Sequence, residues 1–559
     1  MYSIMNIISV ILSVVLIFLG LLLIKKNNKI INKIGNWFEE IVKKFYKVFI
    51  LLLLLLTIFT SVFKITSLPY GLHVDEAGLA YDAQAIEKYG VDRYLRSYPI
   101  WLNNYYGSQS SMYAYLVILL IKMFGFSKLV LRMPAAIFRV LIFVFMYWIL
   151  RDEKDKFKPL LFAFLFTICP YFIMQSRWAL DCNLLVGFLT ISECILIKSI
   201  QKDSTKLLIL SGICFGLSLY TYALSFIILP LILLLTCIYL LYIKKLNFKK
   251  LVLFGIPIAL LAIPLMIMLL INNGFMEEIN GFITIPKLVG YRGSDLMLPN
   301  FVENAYILKS IFSADNEEIF HNVYWYNAVP EFGTIYYMTI PFFIIGFIYG
   351  IKKLVKSIKE KKFDINAIFV FWFIAVLFCM FMVKIPTIHR ANAIFAPMVY
   401  FSAMGIYIAF EKVKAVIIPI GLLLTINFGM FMNFYFTEYN QKSEGVYLFA
   451  TTYLTALDYV KTLKREKVYL DQLLTSEEYI YVLLDYQISP YDYDTEHIVG
   501  EYEGTAIEYN FIESGKWIVL EKESAYVAGP DEWIAQRFAN EGFKCEEFGI
   551  YRVYYYESD

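Results

Sequence analysis

The chain has 559 residues, of which 59% are hydrophobic, and its 50 Lys and Arg against 48 Asp and Glu give a formal net charge of +2. This composition excludes an ordinary soluble protein, because several apolar runs reach the roughly 20 residues that cross a hydrocarbon core. The seven Cys form no CxxC pair and there are only four His, so neither a zinc site nor a disulfide framework is indicated. The sequence therefore predicts a polytopic α-helical membrane protein.

Twelve apolar runs are predicted to span the membrane, beginning with a run near the N-terminus that we interpret as a retained anchor. The runs lie near residues 5–24, 47–66, 129–150, 159–175, 181–200, 207–223, 226–243, 251–271, 335–351, 366–383, 393–410 and 414–433. One further run, at residues 113–126, is too short for a span and is predicted to lie flat at the membrane surface as an interfacial helix.

The short loops between the spans predict the orientation, because Lys and Arg concentrate on the cytoplasmic side of a membrane protein. Strongly basic connections lie at residues 25–47, 151–158, 198–206, 244–250 and 352–362. If residues 113–126 lie flat, all of these loops fall inside and both termini fall outside. The long loops 67–128 and 272–334 are then extracytoplasmic, so chemistry on them faces away from cytosolic ATP and nucleotide sugars.

The C-terminal tail differs in charge from the rest of the chain: from residue 434 onward there are 24 Asp and Glu against 10 Lys and Arg. We therefore predict an anchor span with a basic cytoplasmic loop (1–46), a transmembrane catalytic domain (47–433) and an acidic extracytoplasmic domain (434–559). The tail should be a small α/β domain, with strand-like runs at 467–472, 516–523 and 550–557 and helix-like runs at 476–486 and 530–543.

The sequence LPYGLHVDEAGLAYDAQAIEKYGV, residues 68–91, places Asp75 and Glu76 just after an apolar run. The residues that follow predict a short amphipathic helix, and on one interpretation the two acids cap it and stabilise its dipole. The other interpretation is catalytic: a partly desolvated carboxylate takes a proton from an attacking hydroxyl, since burial raises its pKa toward working pH. Two acids at a lipid boundary are costly unless they are used or paired.

Two further motifs carry charge at the predicted outer ends of spans. In SRWALD, Arg177 and Asp181 are four residues apart, which fits either an ion pair on one helical turn or a second carboxylate facing the first-loop acids. In IPTIHRANA, His389 and Arg390 lie on the side where Arg is disfavoured. Arg390 is therefore either a snorkelling interfacial side chain or a phosphate ligand.

The second outer loop contributes Tyr291 and Arg292, which stand between two glycines in KLVGYRGSD. Its later part, residues 318–334, is rich in aromatic residues. Such rings form either an ordinary belt at the membrane interface or a surface on which sugar rings stack, and both interpretations stay open.

The order of these motifs resembles the GT-C glycosyltransferases, and among them the branch of protein O-mannosyltransferases and the aminoarabinose transferases of lipid A. The shared pattern is an anchoring span, an outer loop with an Asp-Glu pair, an interfacial helix, and LRMPAAIF leading into a span. SRWALDCNLL is similar to the second acidic loop of that group, and GLSLYTYALSFIILPLILLL and HRANAIFAPMVYFSAMG resemble its later span entries. The resemblance covers roughly residues 45–435.

The resemblance implies an enzyme that moves a hexose or pentose from a polyprenyl-phosphate donor to a hydroxyl acceptor outside the membrane, with inversion at the anomeric carbon. It implies that Asp75 is the general base with Glu76 in support, and that Asp181 is the carboxylate of the second acidic loop. Arg390 and Arg292 would hold the donor phosphate.

One departure from the family pattern concerns the approach to the interfacial helix, where relatives often carry Lys or His. Here that approach, NNYYGSQSSMY, has no cation, so Arg177, Arg292 or Arg390 must supply more of the phosphate contact. His389 and Tyr291 complete the predicted binding set. No cofactor is required and a divalent metal is not indicated. The predicted partners are an undecaprenyl-phosphate-linked sugar, the plasma membrane and a protein, glycan or lipid acceptor, with no nucleic acid.

Two other functions remain as alternatives. A transporter or flippase tends to place ionisable groups near mid-bilayer and to show repeated halves, whereas here the charges cluster at one predicted face and no repeat is visible. A glycan polymerase or ligase would use a diphosphate-linked oligosaccharide instead of a monophosphate-linked sugar, so the class of donor that is consumed separates it from the transferase.

Overall fold

The computed structural model describes residues 2–26, 29–104, 107–152, 155–289, 302, 304–305, 327–329, 331–384, 387–441, 448–471, 478–513, 516–517 and 519–557. The chain divides into two compact units. One, here named the helical unit, comprises residues 1–65, 132–267 and 292–438. The other, the mixed unit, comprises residues 66–131, 268–291 and 439–559. The division of the sequence at residues 46 and 433 stays a prediction.

The described helices follow the apolar runs of the sequence, because a chain in hydrocarbon must satisfy its backbone hydrogen bonds internally. In chain order they are α1 (Tyr2–Lys26), α2 (Lys29–Val62), α3 (Val74–Tyr89), α4 (Met112–Phe124), α5 (Lys128–Leu150), α6 (Phe157–Ile168), α7 (Pro170–Gln175), α8 (Leu185–Gln201), α9 (Thr205–Ser218), α10 (Ser225–Tyr242), α11 (Phe248–Asn272), α12 (Ile340–Glu360), α13 (Ile365–Met382), α14 (Phe395–Lys412), α15 (Ile417–Thr437), α16 (Thr451–Thr462), α17 (Tyr479–Asp485) and α18 (Glu532–Asn540).

Within the described residues, nine helical segments are long and apolar enough to cross a membrane. They are Lys33–Val62, Lys128–Leu150, Asp181–Gln201, Ser225–Tyr242, Phe248–Asn272, Tyr337–Glu360, Ile365–Met382, Asn392–Lys412 and Lys414–Thr437. Three further apolar helices in the described part of the chain are shorter: Met112–Phe124, Phe157–Ile168 and Thr205–Ser218. The prediction of a polytopic helical membrane protein is confirmed, but the number of twelve spans is not, because nine such segments are found in the described part of the chain.

The run predicted at 159–175 is interrupted by its own sequence. Cys169, which precedes Pro170, has an extended backbone (φ −64°, ψ 122°) and separates α6 from α7. A residue before proline is disfavoured in the helical region, because the proline ring crowds its backbone. A single apolar run in the sequence therefore becomes two short helices.

The mixed unit contains two β-sheets. The strands are β1 (Trp101–Asn104), β2 (Gly107–Ser110), β3 (Lys467–Leu470), β4 (His497–Tyr502), β5 (Thr505–Phe511), β6 (Ala525–Ala528), β7 (Lys544–Phe548) and β8 (Tyr551–Tyr555). An antiparallel hairpin joins β1 to β2, and a six-stranded sheet has the order β4-β5-β3-β6-β8-β7. In this sheet β3 runs parallel to both β5 and β6, and the other pairs are antiparallel. The small C-terminal α/β domain that the sequence predicts is confirmed.

Two features of the tail differ from the predicted strands. Residues 516–517 and 519–523, which were expected to form a strand, form none, and β6 follows them instead. The hairpin β4–β5 was not predicted, because its outward positions are charged and its apolar pattern is weak. Glu503 and Gly504 form its two-residue turn with φ of 47° and 81°, the left-handed values that such tight hairpins require.

Candidate active site

The acidic helix α3 begins with a reciprocal cap encoded by the sequence HVDE. His73 is the N-cap residue, and its Nδ1 accepts a hydrogen bond of 3.1 Å from the backbone N–H of Asp75. The backbone N–H of His73 donates to Oε2 of Glu76 at 3.2 Å. Both acids lie in the first helical turn, where exposed N–H groups and the helix dipole favour negative charge.

The two adjacent acids have different surroundings. Glu76 is fully buried and its carboxylate is engaged by the cap. The Asp75 side chain is 28% exposed, and its Oδ2 lies 3.5 Å from His73 Nδ1. Its Oδ1 receives a long hydrogen bond of 3.4 Å from Asn104 Nδ2. Asp75 is therefore the acid of the pair that solvent reaches, and the amide of Asn104 is the described side-chain donor to its carboxylate.

His73 acts as a neutral cap. Because its Nδ1 accepts a backbone N–H, that nitrogen carries no proton, and the neutral ring holds its proton on Nε2. Burial lowers the pKa of His73 to about 4, and the negative charge of Glu76 opposes this shift only in part. The ring of Phe449 meets the imidazole edge-on, with centroids 6.4 Å apart. At neutral pH the imidazole therefore adds no positive charge beside Asp75.

The β1–β2 hairpin supplies the amide that contacts Asp75. Asn104 Nδ2 also donates to Gln109 Oε1 at 2.8 Å, so the two amides and the carboxylate form a chain. Gly78 allows the hairpin to approach α3, because a Cβ there would collide with Asn104 Oδ1 and lie 2.7 Å from Nη2 of Arg93. The absence of a side chain at Gly78 therefore leaves room for the Asn104 amide beside the first turn of α3.

A buried ion pair fixes the next turns of the same helix. Arg93 Nε and Nη2 donate to the two carboxylate oxygens of Asp82 at 3.0 and 2.9 Å, and the Arg93 backbone N–H adds a bond of 3.1 Å. Asp82 holds the pKa of Arg93 above its ordinary value, so the pair is ionised. Burial, assisted by the charge of Asp82, raises the pKa of the neighbouring Asp92 to about 7.

The C-terminal domain contacts the start of α3 within the mixed unit. The hydroxyl of Tyr481, on α17, donates to the backbone carbonyl of Leu72 at 3.1 Å. The hydroxyl of Tyr81, on α3, donates to the carbonyl of Ile488 at 2.9 Å. These two bonds hold α3 on either side of its acidic turn, so the tail domain is part of the structure that positions Asp75.

In the helical unit, Arg177 lies at the C-terminal end of α2. Arg177 is fully buried, and its Nη1 and Nη2 donate to the carbonyls of Thr60 at 2.8 Å and Phe63 at 2.6 Å. Arg132 donates to the carbonyl of Ile65 at 2.8 Å. Carbonyls at a helix C-terminus have no partner within the helix and attract cations. The described bonds of Arg177 therefore stabilise the end of α2.

The second acidic loop joins the HRANA segment in the same unit. Asp181 is buried, and its Oδ1 accepts a hydrogen bond of 2.7 Å from the backbone N–H of Cys182. The carbonyl of Cys182 accepts a short hydrogen bond from Asn392 Nδ2. Residues 176–180 form no helix, so the spacing between Arg177 and Asp181 is not a helical turn.

His389 and Arg390 lie three and two residues before Asn392, and both are half-buried. Oγ1 of Thr387 lies 3.2 Å from Nε2 of His389 and accepts a hydrogen bond of 3.3 Å from the Arg390 backbone N–H. The structure therefore brings together the loops of Asp181 and Arg390, as it brings together Asp75 and Glu76. The remaining predicted site residues, Tyr291 and Arg292, lie outside the described residues.

The chain is similar in sequence and fold to known glycosyltransferases. A family model described as dolichyl-phosphate-mannose-protein mannosyltransferase matches residues 108–270. A search of curated proteins found no match. Among solved structures, ArnT from Cupriavidus metallidurans bound to undecaprenyl phosphate has a TM-score of 0.54 and 11% sequence identity, covering 91% of this chain and 97% of ArnT. The chain has the GT-C fold.

Two further structures are similar to this GT-C chain. Apo ArnT from the same organism has a TM-score of 0.53 and 10% identity, covering 92% of this chain and 98% of ArnT. The archaeal oligosaccharyltransferase AglB from Archaeoglobus fulgidus, in complex with an inhibitory peptide and a dolichol-phosphate, has a TM-score of 0.44 and 14% identity. That match covers 79% of this chain and 64% of AglB, so the chain spans less than two thirds of the archaeal protein. The GT-C resemblance of the sequence is confirmed.

Within this GT-C chain, the sequence did not reveal the residues that hold Asp75. His73, Asn104 and Gln109 are polar residues of ordinary types, and the spacing HxxE of His73 and Glu76 was the one local signal of a cap. In the part of the chain that the structure describes, no group of three or more His, Cys, Asp or Glu side chains could hold a metal ion.

Proposed function

We propose that the protein transfers a sugar from a polyprenyl-phosphate donor to a hydroxyl acceptor at the outer face of the plasma membrane, with Asp75 as general base. The observation that carries the proposal is the contrast between two adjacent acids. Glu76 is buried and occupied by the cap, whereas Asp75 is partly exposed and its carboxylate accepts a hydrogen bond from Asn104. A base needs this combination, because it must be both reachable and held in one geometry.

The proposed reaction is a single displacement. As the acceptor oxygen attacks the anomeric carbon, its proton passes to a carboxylate oxygen of Asp75. The bond between the anomeric carbon and the phosphate oxygen breaks, and its electron pair leaves with the polyprenyl phosphate. Because the attack and the departure are on opposite faces of the sugar ring, the anomeric configuration inverts.

The donor class rests on the comparisons. The matching family model is named for dolichyl-phosphate-mannose transfer, and the ArnT structure of the same fold holds undecaprenyl phosphate. A lipid-linked donor keeps its chain in the bilayer while its sugar meets the acceptor at the surface. The proposal requires no metal, since a phosphate whose charge is stabilised by cations is already a competent leaving group.

For the phosphate contact we propose Arg390. Arg390 is half-buried on a loop that hydrogen-bonds to the Asp181 loop, whereas Arg177 donates to the carbonyls of Thr60 and Phe63 at the end of α2. A planar guanidinium binds phosphate through paired hydrogen bonds. Arg292 stays a candidate from the sequence. Arg390→Gln should raise the KM for the lipid donor more than it changes the KM for the acceptor.

The test is a measurement of which lipid-linked donor is consumed. Purified protein is incubated with an undecaprenyl-phosphate-linked sugar or an undecaprenyl-diphosphate-linked oligosaccharide, and the released lipid is quantified. We expect release of undecaprenyl phosphate from the first donor. Asp75→Asn should lower its rate by about 10²–10⁴-fold, the usual contribution of a general base. Asp458→Asn, at an exposed site of the same unit, is the matched control and should retain full activity.

Three outcomes would contradict the proposal. Turnover of Asp75→Asn at the wild-type rate would show that Asp75 is not the general base. Consumption of the diphosphate donor alone would identify a polymerase or ligase. Movement of either lipid across a vesicle membrane without any bond cleavage would identify a flippase.

Glu76→Gln separates catalysis from folding. Its amide oxygen still accepts the His73 N–H, so the variant should keep most of the activity.

A further inference from the structure

An apolar groove in the helical unit lies apart from every residue assigned a role above. It has a volume of about 610 Å³ and is lined by side chains of α2, α5, α8 and α9, among them Ile50, Leu54, Phe143 and Leu207. Ligand pockets commonly measure about 300–1,000 Å³, so the groove has room for a ligand chain. Its walls belong to membrane helices, which means that hydrocarbon is the medium that reaches it.

One end of the groove is lined by residues that are typical of a membrane interface. Tyr147 and Trp148 line it on the last turn of α5, and Arg151 lines it just beyond that helix. Aromatic rings of this kind are enriched at the level of the lipid headgroups. The groove therefore runs from hydrocarbon depth to an interface at which a cation is present.

Among the residues that the structure describes at this end, positive charges outnumber negative ones. Lys198 Nζ lies 2.7 Å from Asp152 Oδ2 and 5.7 Å from the centre of the Trp148 ring. Arg151 Nε lies 3.7 Å from Asp152 Oδ1, and Lys202 also acts on this carboxylate. Three cations thus surround one carboxylate, and Arg151 is half exposed at the rim. An anionic headgroup is the complement of this arrangement.

The end of the groove belongs to the side that carries the basic loops. Arg151 and Lys202 lie on the basic connections 151–158 and 198–206, which the positive-inside rule predicts to be cytoplasmic. The cytoplasmic leaflet is rich in anionic lipids and attracts such clusters. Arg132, near the start of α5, is separated from Arg151 by roughly 28 Å of helix at 1.5 Å per residue. The Arg151 end of the groove is therefore remote from the arginines at the end of α2.

We propose that this groove binds one chain of an anionic phospholipid of the phosphatidylglycerol type, with the lipid phosphate at Arg151. The proposal does not depend on the transfer reaction. A donor lipid is disfavoured as the occupant, because its phosphate is expected at the opposite face of the membrane. A zwitterionic lipid is disfavoured because its headgroup has no net charge to match the three cations.

The test uses Trp148 as a native probe, because this residue lines the groove. Full-length protein is reconstituted in phosphatidylcholine vesicles that contain brominated phosphatidylglycerol or, at the same mole fraction, brominated phosphatidylcholine. The fluorescence of Trp148 is obtained by subtracting the emission of Trp148→Phe from that of the wild type, and its quenching by each brominated lipid is then measured. We expect stronger quenching by brominated phosphatidylglycerol. Arg151→Gln should weaken this preference about fivefold, the usual effect of one interfacial cation, and Arg151→Lys should retain it.

Lys249→Gln is the matched control, because Lys249 is an exposed cation on another basic loop and does not line the groove. It should leave the lipid preference unchanged. Equal quenching by the two brominated lipids would overturn the proposal, as would a preference that survives in the double variant Arg151→Gln, Lys202→Gln. Displacement of brominated phosphatidylglycerol by an equal amount of undecaprenyl phosphate would assign the groove to the donor lipid instead.

Discussion

Asp75 and Glu76 are adjacent and chemically alike, and their separate environments come from the geometry of a helix start. The residue two positions after the N-cap points its side chain outward, toward the hairpin amide of Asn104. The residue three positions after it can fold back onto the N-cap backbone, as Glu76 does on His73. A buried carboxylate that loses its donor is costly. Changes at Glu76 should therefore act mainly on folding, and changes at Asp75 mainly on turnover.

Gly78 allows a direct test of this arrangement. An Ala in a helix interior ordinarily stabilises by about 1 kcal/mol relative to Gly. At Gly78 the added methyl group collides with the Asn104 side chain, so the amide that contacts Asp75 must shift. We expect Gly78→Ala to lower the transfer rate by about 10–100-fold, because small displacements of catalytic groups are expensive. The measurement is the steady-state rate with the lipid-phosphate donor.

The control for Gly78 is Gly255→Ala on α11, where an added Cβ meets no atom within 4 Å. This variant should keep the wild-type rate and gain slightly in stability. Full activity of Gly78→Ala would mean that the contact between the hairpin and α3 does not position Asp75.

The element α3 shows how far a local pattern predicts a site. Its amphipathic sequence, the two acids in its first turn and the short helix α4 were all predicted, because each depends on residues a few positions apart. The bond from Tyr481 to Leu72 joins residues 409 positions apart, and no periodicity encodes it. The same applies to Asn104, which reaches Asp75 only because a hairpin folds against Gly78. The helix was predictable, but the residues that hold it were not.

The cap of α3 predicts a pH dependence of stability. The pKa of His73 is about 4 in the folded protein and ordinarily about 6.5, so the unfolded chain binds more protons between these values. The contribution of neutral His73 to the free energy of unfolding is fully present above about pH 6.5. It is lost as the pH falls toward 4. At pH 5 the loss should be about 2 kcal/mol relative to pH 8. Thermal unfolding at both pH values measures it.

His73→Asn is the reference for this measurement, because Asn caps helices and does not titrate in this range. Asp92 has a raised pKa of about 7, so its contribution has the opposite sign and is lost as the pH rises. Since Asp92 is present in both proteins, its effect cancels in the comparison. If wild type and His73→Asn lose stability equally between pH 8 and pH 5, the imidazole is not the titrating cap.

For the whole molecule, the distribution of charge predicts an orientation in the membrane but not the division into compact units. The basic loops and the acidic tail follow from counting residues, and by the positive-inside rule they predict that the tail lies outside the cell. Counting residues cannot predict which segments of the chain belong to each of its two compact units. The mixed unit combines the first outer loop, residues 268–291 and the tail, which are far apart in the sequence. Such an assembly depends on packing between distant segments.

The native cysteines provide the test of orientation. Cys545 in the tail is exposed, whereas the other six cysteines are buried or half-buried. We expect a membrane-impermeant maleimide to label wild-type protein in intact cells and to leave Cys545→Ser unlabelled. Because burial raises the pKa of Cys545, labelling should be done near pH 8.5, where more thiolate is present.

A second variant combines Cys545→Ser with Asp203→Cys, since Asp203 is an exposed residue of a basic loop. This variant should label only after permeabilisation. The reverse pattern would place the basic loops after residue 126 outside and the tail inside, as expected if residues 113–126 cross the membrane.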